Sequence, residues 1–144
     1  CPGAVKIPVV STQETTTLVL EQMESVKNGF IATTYQETDL AGHEEDARKY
    51  ATLLEIIDEG IGEIIKKLQD EDILIITGDH GNDPLIGHPW HTREYTPLLV
   101  MGKKIKSGIK LGLRRSLSDT AATIADIFGV ETPENGESFY NEIS

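Results

Sequence analysis

The chain is expected to adopt an α/β fold: a mainly parallel sheet with helices on both faces and one antiparallel strand. Three observations predict it. Residues 73–77 and 98–101 are short unbroken apolar runs, the pattern of strands buried on both faces. Tyr50, Leu53, Leu54, Ile57, Ile61, Ile64, Ile65 and Leu68 recur three or four residues apart, the stripe of a long amphipathic helix. Strand-like and helix-like segments alternate along the chain, as in folds whose helices pack on a sheet.

Each element has its own signals. Residues 5–10 read as an extended segment, with Pro8 placing it at a sheet edge. Ser11 or Thr12 can cap a helix running to about Lys27, with Leu18, Val19, Met23 and Val26 inward and Asn28-Gly29 closing it. Thr15, Thr16 and Thr17 weaken that helix by propensity. Residues 30–35 read as a strand ending just before Asp39. Glu44, Glu45 and Asp46 are expected in the first turn of the long helix, where carboxylates favour the positive end of its dipole. A last helix covers residues 119–128, begun by Ser116 or Ser118 and stopped by Gly129. Arg114-Arg115 reads as a solvated turn and residues 132–144 as an irregular polar tail.

The strand near residues 96–101 is expected to run antiparallel to residues 73–77. Between them lie Gly81, Pro84, Gly87 and Pro89 and no helical period, so the chain has no crossover with which to return in parallel.

Composition narrows the function. The 144 residues carry a formal net charge of −11, with 38% hydrophobic and 26% charged residues, ordinary for a globular protein of one-domain size. So acidic a chain offers no basic face to nucleic acid or to an anionic membrane. An acidic protein that handles phosphate must invert its field locally, which bound divalent cations do. No apolar run approaches a membrane span, and the start has no signal-peptide pattern. The single Cys1 cannot close an intrachain disulfide, which fits a reducing, cytoplasmic setting. The chain begins Cys-Pro-Gly rather than with Met, which predicts a piece of a longer polypeptide. Oligomeric state leaves no trace in the sequence.

The chemistry concentrates at Gly78-Asp79-His80-Gly81-Asn82-Asp83-Pro84, where an apolar run delivers Asp79 and His80 into a turn. Asp39 and His43 form a second pair, and His91 follows. Carboxylate and imidazole together suit divalent ions such as Mn, Zn or Fe. Both pairs follow strands, and in open α/β sheets functional groups gather beyond the carboxyl ends of strands. Small Ala41 and Gly42 would let the backbone turn tightly between Asp39 and His43. That pair reads equally as a polar loop with a capping Asp, and His91 as a surface residue. His88 has no partner at ligand spacing and reads as a loop residue. Arg93 offers a fork suited to phosphate, and Glu94 could meet a sugar hydroxyl or hold Arg93; a surface ion pair is the alternative.

In this order the motifs resemble the C-terminal half of the alkaline phosphatase-like superfamily of metalloenzymes. Within it they are most similar to the phosphopentomutases, with cofactor-independent phosphoglycerate mutases more distant. The segment Gly78–Pro84 and the run His91-Thr92-Arg93-Glu94-Tyr95-Thr96-Pro97 carry the likeness, and residues 30–129 follow the family's order of elements. The resemblance implies that Asp79 and His80 bind one divalent ion while Asp39, His43 and His91 bind another, Mn being favoured and Zn or Mg possible. It implies a sugar phosphate substrate bound by Arg93 and Glu94, and an isomerase that moves phosphate between the 1- and 5-positions of (deoxy)ribose. No catalytic residue is assigned in this chain: the acceptor Thr is expected upstream, with a cap domain, so residues 1–144 are expected to be the C-terminal part of the catalytic core and inactive alone. His88-Pro89-Trp90 stands where the family has Gly-Thr-Asp, and the Asp39–His43 interval is one residue shorter. A phosphatase or phosphodiesterase of the same superfamily and a non-catalytic metal-binding domain are the rivals.

Overall fold

A computed structural model describes residues 4–144; Cys1, on which the redox expectation rests, lies outside the described residues. Helices and a small sheet make the fold α/β. The chain forms two compact units, one of residues up to Leu68 together with His80–Thr96, the other of Gln69–Asp79 and Pro97–Ser144.

The first unit is three helices and a loop. Helix α1 (Thr12–Ser25) packs on α3 (Ala47–Lys67), as does α2 (Gln36–His43). Ser11 caps α1, and the Glu37 carboxylate accepts from the Thr12 N–H, a contact that draws the Glu37 carboxyl below its ordinary range. The buried residues of α1 are Thr12 and Thr15; Leu18, Val19 and Met23 are only half-buried, and Val26 is exposed beyond the helix end. The expected apolar face is therefore corrected to a threonine face. Thr15 and Thr16 tolerate it because their hydroxyls donate to the carbonyls of Ser11 and Thr12 one turn back. The Thr16 hydroxyl also meets the Tyr35 hydroxyl at 2.9 Å. It lies where a Cβ at Gly60 would be, so Gly60 lets α1 and α3 approach.

Residues 5–10 and 30–35, expected as strands, form no ladder here. Asp39 does not follow a strand either; with His43 it lies within α2. The long helix starts later than the acidic cluster suggested: Glu45 turns the chain at φ 56° and Asp46 caps α3, accepting from the Lys49 N–H at 2.9 Å. Leu53 and Ile64 of the expected stripe are buried, and Lys66 and Lys67 fall at the negative end of the helix dipole.

The second unit holds β1 (Leu74–Thr77) and β2 (Leu98–Met101), paired antiparallel with Leu74 opposite Met101 and Thr77 opposite Leu98. The antiparallel return agrees with the missing crossover. This two-stranded sheet is the one formed among the described residues, so a parallel sheet is not part of it. Helix α4 (Ser118–Phe128) ends at Gly129 in the left-handed conformation, φ 62°, as expected.

The tail is not irregular. It forms α5 (Tyr140–Ile143) and supplies two core side chains, Phe139 and Ile143. Asp119 and Thr123 of α4 tie it down by accepting from the Glu137 and Phe139 N–H groups. Arg114 is no solvated turn residue. Its guanidinium donates to Asp119 at 2.9 Å, to Glu142 at 3.0 Å and to the Glu137 carbonyl at 3.2 Å, above the Phe139 ring. The sequence pattern missed this because Glu137 and Glu142 of the tail bind the arginine while only Phe139 and Ile143 of residues 132–144 are buried.

Candidate metal centre

One turn of α2 puts Asp39 and His43 at i and i+4, on the same face. The loop His80–Thr96 brings two more imidazoles to that face. Its ends are closed by a bridge in which the Thr92 N–H donates to the Gly81 carbonyl at 2.9 Å. Gly81 is needed there: a Cβ would meet the Thr92 carbonyl at 3.0 Å and collide with the Glu94 carboxylate. That carboxylate accepts from the Thr92 hydroxyl, which accepts in turn from the Asp83 N–H. Glu94 thus braces the loop base, while Arg93 is exposed.

Asp39, His43 and His91 each offer one ligand atom, and these atoms lie within 4.8 Å of one another. His43 Nε2 is 3.3 Å from Asp39 Oδ2, His91 Nε2 is 3.4 Å from Asp39 Oδ1, and the two Nε2 atoms are 3.1 Å apart. His80 stacks on His91 with ring centroids 3.7 Å apart, its Nε2 3.8 Å from Asp39 Oδ1. Asp79, directly before His80 in sequence, ends the first segment of the other unit. His88 is exposed, with its Nδ1 accepting from the Trp90 N–H.

The donor chemistry fits a cation. His43 Nδ1 lies 2.7 Å from the Pro89 carbonyl, which can only accept, so Nδ1 carries the proton. Nε2, the ring's other nitrogen, faces a carboxylate oxygen and a second imidazole. A carboxylate with two imidazoles suits a borderline divalent ion.

A model of the metalloenzyme superfamily matches residues 4–132. The chain belongs to the metalloenzyme superfamily.

Relatives within this superfamily setting include the phosphopentomutase of Alkaliphilus oremlandii, 43% identical over 125 residues, covering 86% of this chain and 32% of that protein. The phosphopentomutase of Caldanaerobacter subterraneus subsp. tengcongensis is 45% identical over 134 residues, 92% of this chain and 34% of that protein. That of Desulfitobacterium hafniense is 48% identical over 118 residues, 81% and 30% respectively. The chain spans about a third of the length of the curated relatives it matches. A metalloenzyme needs such a donor set. Its metal-coordinating candidates were recognisable as residue types, but two supporting groups were not: Asn82, which reads as a turn residue yet donates from Nδ2 to Asp39 Oδ1, and the Pro89 carbonyl, a backbone atom that no side-chain pattern reports.

Proposed function

We propose that the chain is the C-terminal part of the catalytic core of a phosphopentomutase-like enzyme. The intact protein would interconvert a (deoxy)ribose 1-phosphate and its 5-phosphate. The convergence of Asp39, His43 and His91 in a chain 43–48% identical to phosphopentomutases carries this reading. Asp39, His43 and His91 would hold one ion, and Asp79 with His80 would contribute to a second, Mn being the preferred metal. Such ions act as Lewis acid and template for phosphoryl transfer between oxygens.

The chain's own residues supply binding and orientation. His43 and His91 would offer their Nε2 atoms, the first ring being oriented by the Pro89 carbonyl. Arg93, exposed and two residues after His91, would meet the sugar phosphate with its guanidinium fork, and Glu94 would hold the loop that presents it. The acceptor Thr, the cap and the parallel strands of the core would come from the preceding part of the protein. A cytoplasmic setting suits a phosphorylated sugar substrate. Among the described residues no helix is long and apolar enough to cross a membrane.

The test is an assay of the full-length protein with Mn2+ and ribose 1-phosphate, beside His91→Ala. Ribose 5-phosphate formed by the wild type and lost in the variant supports the mutase reading. Release of inorganic phosphate instead would replace it with a hydrolase of the same superfamily.

A further inference from the structure

Asn82 joins the two segments that carry the candidate ligands. Its side-chain Nδ2 donates to Asp39 Oδ1 at 2.8 Å and to the Asp39 backbone carbonyl at 3.1 Å. Both partners are acceptors, so only the NH2 end of the amide can face them. The two bonds grip the carboxylate and the backbone of one residue, which fixes the side-chain torsions between them. The amide itself rests against Gly42 in the same helix. A Cβ at position 42 would collide with the amide carbon, oxygen and nitrogen of Asn82. Gly42 and Asn82 are therefore complementary, the missing side chain of one making room for the other.

We propose that Asn82 is a positioning residue for metal binding, holding Asp39 Oδ1 so that the carboxylate meets the ion in one orientation. The proposal rests on the metal reading of Asp39, His43 and His91. A neutral amide serves this purpose where Lys or Arg would not, because it orders the carboxylate without adding positive charge beside the cation. The same contact sets the loop against α2. Asn82 lies between His80 and His91 in sequence, so anchoring it to Asp39 places both imidazoles relative to the carboxylate. Gly42 is the second half of the device. A methyl group there displaces the amide and releases Asp39, although residue 42 touches no ligand atom itself.

The experiment compares wild type, Asn82→Ala, Gly42→Ala, the double variant and His91→Ala as full chains. Free Mn2+ is followed by electron paramagnetic resonance, and the visible spectrum of the Co2+-loaded protein reports coordination. Asn82→Ala is expected to weaken Mn2+ binding by roughly 10–100-fold, the usual cost of losing a group that orients a ligand, and to alter the Co2+ band. Gly42→Ala is expected to weaken it in the same direction. In the double variant the second loss should vanish, because both substitutions remove one contact. Unchanged affinity and an unchanged Co2+ spectrum in Asn82→Ala, with His91→Ala defective, would overturn the positioning role alone. Independent, multiplying losses in the double variant would do the same. Absence of Mn2+ binding by the wild type, with His91→Ala no different, would overturn the metal reading and the positioning role together.

Discussion

The Nε2 atoms of His43 and His91 lie 3.1 Å apart, although the residues are 48 positions apart in sequence. One comes from α2 and the other from the loop closed by Gly81 and Thr92, and the Asp39 carboxylate stands beside both. Two imidazole nitrogens and a carboxylate oxygen gathered at one point form a donor set that suits a divalent cation. On the proposed metal reading, these two imidazoles are ligands of the same ion.

Replacing either imidazole should therefore cost binding more than folding. His43→Ala and His91→Ala are each expected to lower Mn2+ affinity by about 100-fold or more, beyond the usual cost of a supporting group. The melting temperature of the metal-free protein should change little, since both side chains are partly exposed. Isothermal titration with Mn2+, paired with thermal unfolding in chelator, checks both halves. Unaltered affinity in either variant would count against the ligand assignment.

Stability of the second unit should depend on Arg114. Its side chain is 18% exposed and that of Asp119 is 7% exposed, so Arg114→Met leaves a buried carboxylate without its counter-ion. Losing one partner of such a pair costs about 3–5 kcal/mol, and denaturant unfolding would report it. A loss below about 0.5 kcal/mol would assign the ion pair to the class of surface contacts.

Acid should act through Asp119. The Glu137 N–H chiefly, and Arg114 against the opposing effect of burial, hold its carboxyl below the ordinary range. A group whose folded pKa is depressed stabilises the protein above its unfolded pKa, and that contribution disappears as pH falls through the folded value. Wild-type stability should drop below about pH 4, and Asp119→Asn should flatten that part of the curve. An equally steep acid limb in the variant would place the effect on other carboxylates.

Much of this architecture was legible in the chain, for identifiable reasons. The long helix α3 declared itself because period and length both exceed chance, and α4 because Gly129 supplies its stop. The antiparallel pairing of β1 and β2 followed from what the connection lacks. Asp39, His43 and His91 were visible as residue types, but the helix shared by Asp39 and His43 was not. Residues 30–35 are apolar enough for a strand, yet they pair with no neighbouring strand here, and the helix begins at Gln36 instead. The threonine face of α1 was hidden because propensity penalises Thr, whereas the structure satisfies two of its hydroxyls one turn back. Arg114 was misjudged because its partners Glu137 and Glu142 come from a segment with no apolar period.

Packing between α1 and α3 should be sensitive to one methyl group. Gly60→Ala sets a Cβ against the Thr16 hydroxyl and methyl, an overpacking expected to cost about 1–3 kcal/mol. Thr16→Ala clears that space, so the double variant should recover part of the loss. Equal stability of Gly60→Ala and wild type by thermal unfolding would show that the helices can separate freely.

The 144-residue chain should show no mutase turnover by itself, because no acceptor for the phosphoryl group is assigned within it. Ribose 1-phosphate incubated with the chain across a range of Mn2+ concentrations should remain unconverted. Robust formation of ribose 5-phosphate would mean that an acceptor lies among these residues.

The most direct measurement is a crystal structure of the Mn2+-soaked protein with anomalous scattering data. One peak is expected among Asp39, His43 Nε2 and His91 Nε2, at roughly 2.0–2.2 Å from each ligand atom. The three side chains should need only small movements to reach it, given their present separation of at most 4.8 Å. A fully soaked crystal with no density there, or with manganese bound only elsewhere, would contradict the assignment of this cluster as a metal centre.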